Sequence, residues 1–126
     1  DIFAAVAPAA FDLVEENIPG CTPSRPITVI SFRGTSDNVV PYAGGYSGVV
    51  PDHPITFLGA TATFSKWAQL NGCTGSASDA GNGCQTYSSA QCSAGVEVTL
   101  CTKQGGGHEA GNASIAWPVL KRHSLP

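Results

Sequence analysis

Two apolar runs rich in β-branched residues dominate the hydrophobic pattern of this 126-residue chain. Residues 26–32 predict a buried strand, and the chain continues through Gly34 to Asp37. Residues 96–102 predict a second strand, and a run of glycines then leads to His108. In open α/β sheets, ligands bind beyond the carboxyl ends of the parallel strands. We therefore predict that Asp37 and His108 lie together at one site.

The rest of the pattern predicts a mixed sheet with helices. The apolar residues 4–11 include Pro8, which favours a strand end or an edge. Residues 61–71 predict an amphipathic helix that Thr61 or Thr63 can cap, and residues 84–89 and 96–102 predict a hairpin. A last helix has an apolar side, and Pro118 must kink it unless it lies in the first turn. That side is formed by Ile115, Ala116, Val119 and Leu120.

Segments rich in Gly, Pro, Ser and Asn separate these elements, and residues 12–26, 34–54 and 73–83 are expected to be mostly loop. Trp67 and Trp117 lie on helical apolar patterns, so we expect both in the core. A chain of this length suits one hydrophobic core rather than two. We predict one α/β domain over residues 1–126.

The cysteines predict two disulfides. If the hairpin turns around Cys92, Cys84 lies opposite Cys101, at a separation that a disulfide can bridge. This pairing leaves Cys73 for Cys92, although four cysteines alone allow three connectivities. Cys21 is then left over. The chain has no C-x-x-C spacing, so we predict no metal site.

Composition restricts the partners and the compartment. Only 12% of the residues are charged and the net charge is −3, which argues against nucleic acid and anionic membranes as partners. No apolar run reaches membrane-spanning length. The cysteine content and the glycosylation sequon at Asn112 favour a secreted protein. No signal peptide is present, so we expect a mature form or a fragment that begins at Asp1, and we predict no cofactor.

Five stretches together resemble the C-terminal half of secreted α/β-hydrolases, and most closely the polyhydroxybutyrate depolymerase and feruloyl esterase family. They are residues 4–11, 25–42, 44–45, 67–73 and 105–108. The resemblance implies a three-layer αβα sandwich in which Asp37 is the acid and His108 the base of a catalytic triad. It also implies that Cys21 bonds to a cysteine in the other half of the domain.

The chain departs from that family in three ways. Arg33 stands where such enzymes usually have His, and Glu109-Ala110-Gly111 follows His108 where they usually have Trp-Pro. The nucleophile elbow G-x-S-x-G precedes this region in the family, with the oxyanion loop, and neither occurs in the 126 residues. Of the serines, Ser31, Ser36 and Ser47 lie nearest in sequence, but none is on a predicted strand-to-helix elbow. Without an activated hydroxyl and oxyanion donors, ester hydrolysis is not expected.

Two functions are therefore compared. A stand-alone half-hydrolase would hold a ligand rather than cleave it, and it is similar in size and layering to small mushroom lectins. Our leading prediction is a secreted, fungal, non-catalytic glycan-binding protein that forms a homodimer through the exposed Ala4–Ala10 edge. The predicted ligand groups are Arg33, Asp37, Asn38, Tyr42, Tyr46, His108 and Glu109. The alternative is a C-terminal fragment of a secreted serine esterase that supplies a catalytic Asp37 and His108.

Overall fold

A five-stranded sheet lies at the centre of the fold. The structure is a computed structural model that describes residues 2–48, 52–53 and 55–125, so it includes the predicted 34–54 loop only in part. The strands of the sheet are β1 (Ala5–Val6), β2 (Thr28–Gly34), β5 (Ser78–Gly81), β6 (Cys84–Tyr87) and β7 (Val98–Lys103). They lie in the order β1-β2-β7-β6-β5. The first three run parallel to one another, and the β5–β6–β7 pairs are antiparallel. The sheet is therefore mixed, as predicted, and its hairpin is the expected one.

Two helices pack against opposite faces of this sheet. Successive strand residues face opposite sides, and Ile30 is in register with Thr99, so Ile30 and Val98 point in opposite directions. Ile30 packs against the helix α2 (Ala113–Leu120), and Val98 packs against the helix α1 (Ala60–Leu70). The chain thus has an α/β fold. No helix in the described ranges is long and apolar enough to cross a bilayer.

The start of α1 is held differently from the sequence prediction, which expects a threonine cap. The helix begins after Gly59, which has a φ of 92°, and no side chain caps it. Thr63 does not cap the helix; its hydroxyl accepts a hydrogen bond from Leu13 N at 3.2 Å. At the other end, the fully buried Asn71 side chain pairs with both backbone groups of Ile27, at 2.9 and 2.8 Å. The start of α1 therefore lacks the predicted threonine cap, and tertiary contacts hold the side chains of Thr63 and Asn71.

Three segments predicted as loop contain regular structure. Residues 12–26 include a 3-10 helix over Glu15–Gly20. The 34–54 segment contributes β3 (Gly45–Ser47), which pairs with β4 (Ile55–Phe57) in a separate ribbon. β5 lies in the predicted 73–83 loop, and all four of its residues are exposed. A strand without a buried face has no alternation of apolar residues, which is why the hydrophobic pattern did not predict β5.

The two tryptophans differ in burial. Trp67 packs against the cluster of Cys92, Val96 and Val98, as expected for a core residue. Trp117 is 62% exposed, so the prediction that it lies in the core is wrong. α2 has only eight residues and buries Ala116, which turns the neighbouring Trp117 outward.

The predicted disulfides, Cys84–Cys101 and Cys73–Cys92, are both present. Cys84 and Cys101 are directly opposed in the β6–β7 register, so the hairpin itself brings them together. Cys21 is a half-buried free thiol. The sequon residue Asn112 caps α2, since its side chain accepts a hydrogen bond from Ser114 N at 3.0 Å. Glycosylation of Asn112 stays a prediction.

Replacing Cys84 and Cys101 together with alanine is expected to lower the free energy of unfolding by about 3 kcal/mol. The crosslink closes a loop with a sequence separation of 17 residues, and its sulfur atoms lie in the core beside Ile30. Urea unfolding of the oxidised wild type and the double variant measures the difference. Equal midpoints and slopes for the two proteins would contradict this expectation.

Candidate functional site

The carboxyl ends of β2 and β7 lie side by side and are joined by their backbones. Gly34 is in register with Lys103, and the loops that follow these strands stay in contact. Thr35 N donates to Lys103 O at 3.1 Å, and Ser36 N donates to Gly106 O at 2.9 Å. The two strand ends and their loops therefore form one structural unit, as expected for neighbouring parallel strands.

Asp37 is fixed within its loop by backbone donors. Its side chain is fully buried, and Oδ1 accepts hydrogen bonds from Val39 N at 2.8 Å and from Val40 N at 2.9 Å. Both are short charge-assisted bonds that hold the carboxylate in one orientation. The remaining oxygen, Oδ2, faces the loop that follows β7.

His108 contacts Asp37 through one ring nitrogen. Its Nδ1 lies 3.0 Å from Oδ2 and 3.2 Å from Oδ1 of Asp37, and the imidazole side chain is 45% exposed. An ionised carboxylate only accepts hydrogen bonds, so Nδ1 carries the proton and Nε2 is the acceptor in the neutral ring. Among the described residues, no group donates a hydrogen bond to Nε2. The pair is arranged as an acid that orients a general base.

The protein keeps Asp37 ionised. Burial acts to raise the pKa of Asp37, but the hydrogen bonds from Val40 N, Val39 N and His108 outweigh it and hold the pKa below its usual range. The carboxylate is thus charged wherever His108 can act as a base.

Replacing Asp37 with asparagine is expected to destabilise the protein at neutral pH by about 1–3 kcal/mol. Because the folded pKa is lowered, the stabilisation is present above the unfolded value of about 3.9 and is lost as the pH falls through the folded pKa. Urea unfolding from pH 7 to pH 3 should therefore show the two proteins converging below about pH 4. Asp52→Asn, at an exposed position, is the control. The difference in unfolding free energy between the wild type and this control should not change with pH. The expectation would be contradicted if the difference for Asp37→Asn were equally independent of pH.

Glu109 is bound within the loop that carries His108. Its Oε1 accepts a hydrogen bond from Gly107 N at 3.0 Å, and its Oε2 pairs with Lys103 Nζ at 2.5 Å. The hydrogen bond from Lys103 and then the one from Gly107 lower the pKa of Glu109. Glu109 and Lys103 are both exposed and lie on either side of the turn, so the ion pair spans the base of the His108 loop.

The predicted ligand groups are only partly brought together. Asn38 is exposed beside Asp37, and Tyr42 donates to or accepts from Thr102 Oγ1 at 2.8 Å, near the end of β7. Tyr46 is 70% exposed but lies on the separate β3–β4 ribbon.

Arg33 is not a surface group, contrary to the prediction that it contacts a ligand. It is 2% exposed, forms an ion pair with the equally buried Asp12, and donates from Nη2 to Val40 O at 2.6 Å. β2 is buried almost throughout, so an arginine at its penultimate position must find its partners inside the protein.

A groove of about 640 Å³ opens beside the His108 loop, between the ends of β2 and β7 and the start of α2. Its walls include Phe32, Lys103, Gly107, Glu109, Asn112 and Ile115. No group of three or more metal-ligating side chains occurs in the part of the chain that the structure describes. His108 and Asp37 are not among the residues that line this groove, although His108 lies between the lining residues Gly107 and Glu109 in the chain.

Sequence reasoning missed Asp12 and the roles of Val39 and Val40. Asp12 is one acid in a segment predicted as loop, and no motif marks it. Arg33 points to such a partner only once its burial is known, because a buried arginine needs a buried acidic partner. Backbone donors such as Val39 N cannot be predicted from residue type, because every residue except proline has a backbone N–H.

Comparison with known proteins identifies one informative similarity. No protein-family profile matches the chain. The chain is 49% identical over 130 residues to feruloyl esterase B of Piromyces equi, an alignment that covers the whole chain. It covers 24% of that protein, so the chain spans about a quarter of the length of the curated relative it matches. These 126 residues are thus a feruloyl esterase-related region.

Proposed function

We propose that this region supplies the acid and the base of a serine esterase that cleaves feruloyl esters. The observation that carries the proposal is the contact between His108 Nδ1 and the buried Asp37 carboxylate, which leaves Nε2 available as a base. The similarity to feruloyl esterase B supports the ester as substrate class. We further propose that the helix–sheet–helix arrangement corresponds to the C-terminal half of an α/β-hydrolase.

In this mechanism, His108 and Asp37 act on groups that lie outside the 126 residues. Nε2 of His108 accepts the proton of a serine hydroxyl while the serine oxygen bonds to the ester carbonyl carbon. Asp37 stabilises the imidazolium, which then gives the proton to the departing alcohol. Nε2 then deprotonates a water whose oxygen bonds to the acyl carbon, the acyl–serine bond breaks to release the acid, and the imidazolium returns the proton to the serine oxygen. The nucleophile and the oxyanion donors come from the rest of the enzyme.

The β1 edge is the place where we propose that the nucleophile-bearing part attaches. Among the described strands, β1 pairs only with β2 and forms the edge of the sheet. An apolar groove of about 400 Å³ lies beside it, lined among others by Val6, Phe11 and Trp67. Phe3 and Phe11 are 63% and 53% exposed there. An unpaired edge next to exposed aromatic residues favours association with another strand.

The similarity favours this esterase over the glycan-binding function that the sequence predicted, and no observation supports glycan binding directly. The homodimer through Ala4–Ala10 also stays a prediction, and it applies only to a chain that exists without the rest of an esterase. The two disulfides are compatible with an extracellular protein. Secretion is therefore part of the proposal.

A chimaera tests the proposed function. The 126 residues replace the matched segment of feruloyl esterase B from Piromyces equi, and hydrolysis of methyl ferulate is measured beside the parent enzyme. We expect the chimaera to hydrolyse this ester, because the parent would contribute the nucleophile and the chain would contribute Asp37 and His108. A soluble chimaera without activity, beside an active parent, would contradict the proposal.

A further inference from the structure

We propose that the buried ion pair between Asp12 and Arg33 is a positioning unit that holds the Asp37 loop in the conformation that orients His108. Its catalytic meaning rests on the proposed function. The structural part concerns this chain alone: Arg33 would fix Val40, and Val40 in turn would fix Asp37.

Both charged side chains lie in the interior. The side chain of Arg33 is 0% exposed and that of Asp12 is 1% exposed, and the two form an ion pair. Burying two charges costs free energy that their attraction repays only in part, and apolar residues of similar volume often replace such a pair without loss. A buried ion pair is therefore a weak source of stability in general, and we look for another role for this one.

A continuous chain of contacts runs from the ion pair to the imidazole. Arg33 Nη2 donates to Val40 O at 2.6 Å. On the other side of the same residue, Val40 N donates to Asp37 Oδ1 at 2.9 Å. Asp37 then contacts His108 Nδ1 at 3.0 Å. Arg33 thus anchors the residue whose N–H holds the carboxylate.

The Asp37 loop has few other restraints from regular structure. Residues 35–44 belong to no helix or strand, so separate hydrogen bonds, such as those from Thr35 N and Ser36 N to Lys103 O and Gly106 O, hold them in place of a regular ladder. Val40 is 3% exposed and packs with Val14 and Phe57, and Ser47 Oγ donates at 3.4 Å to Val39 O, on the peptide that carries Val40 N. The guanidinium orients the next peptide, which carries Val40 O, through a planar, forked donor.

Electrostatics support the same role for Arg33. Burial raises the pKa of Asp12, Arg33 acts to lower it, and the nearby charge of Asp37 raises it further. Arg33 is therefore the cation that compensates for the buried charge of Asp12. Asp12 pairs with Nη1 of the guanidinium, and Val40 O accepts from Nη2.

The test uses the 126-residue chain and a double variant, Asp12→Leu with Arg33→Met, that removes both charges. Nitrogen-15 NMR at alkaline pH, where imidazole is neutral, reports which ring nitrogen of His108 carries the proton, and hydrogen exchange reports on the Val39 and Val40 amides. We expect a folded protein in which these amides exchange at least about tenfold faster and the Nε2–H form of His108 gains population. A folded double variant with unchanged amide exchange and an unchanged tautomer would overturn the proposal.

Two further variants keep the test decisive. Arg33→Lys keeps the charge beside Asp12, but an ammonium group cannot bond Asp12 and Val40 O at once as the planar guanidinium does. We therefore expect the same NMR changes in Arg33→Lys, which serves as the test if the double variant does not fold. Glu97→Gln with Arg122→Met removes an ion pair at the surface, far along β7 from His108, and should leave both readouts unchanged. Neither readout needs an ester, so a negative result here leaves the proposed function untouched, and an inactive chimaera leaves the positioning role untouched.

Discussion

Replacing His108 with alanine is expected to lower ester hydrolysis by the chimaera at least about 10⁴-fold. His108 is the base in the proposed mechanism, and its Nε2 is free of hydrogen-bond donors in the described part of the chain. The imidazole is 45% exposed, so its removal should leave the fold and the expression level nearly unchanged. Steady-state hydrolysis of methyl ferulate measures the loss.

His53→Ala provides the matched control. His53 is an exposed histidine in a loop, and no contact joins it to Asp37 or His108 among the described residues. The chimaera with His53→Ala should retain the activity of the unmodified chimaera within about twofold, as expected for a surface change. If His108→Ala and His53→Ala had equal activity, the ester would be cleaved without the proposed base.

Replacing Gly34 with alanine is expected to have the largest effect on stability, a loss of about 3 kcal/mol or more in the free energy of unfolding. A Cβ atom at Gly34 would lie 2.2 Å from Gly106 O and 2.4 Å from Gly106 C. Both are backbone atoms in a loop that is hydrogen-bonded to the Asp37 loop, so the clash cannot be relieved by moving a side chain. The strand ends would have to separate, which would also part Ser36 N from Gly106 O.

Gly107→Ala is the control for this substitution. Gly107 lies in the same loop as Gly106, and a Cβ atom there would meet no described residue within 4 Å. Urea unfolding should place this variant within about 0.5 kcal/mol of the wild type. Equal stabilities for Gly34→Ala and Gly107→Ala would show that the two loops are not packed as described.

The sequence predicted the elements whose own residues dictate their structure. The buried strand before Asp37 and the hairpin before His108 follow from β-branched apolar runs, and the register of that hairpin predicts the Cys84–Cys101 disulfide. The pairing of Asp37 with His108 follows from the parallel direction of β2 and β7. These features depend on local pattern and on one rule about strand ends.

Features decided by tertiary contacts could not be predicted in the same way. β5 is a strand because β6 offers it a backbone partner, although its own residues are exposed. Thr63 bonds Leu13 across the fold instead of capping its helix. Arg33 is buried because Asp12 lies opposite to it, a distant pairing that residue type alone does not show.

The central claim is that Asp37 and His108 activate a serine that lies outside these 126 residues. A fluorophosphonate, which labels activated serines, is added to the chimaera, and mass spectrometry locates the labelled peptide. We expect one labelled serine, in the part that the parent enzyme contributes, and a large loss of labelling in the His108→Ala variant. A label on Ser31, Ser36 or Ser47, or labelling that does not depend on His108, would contradict the account.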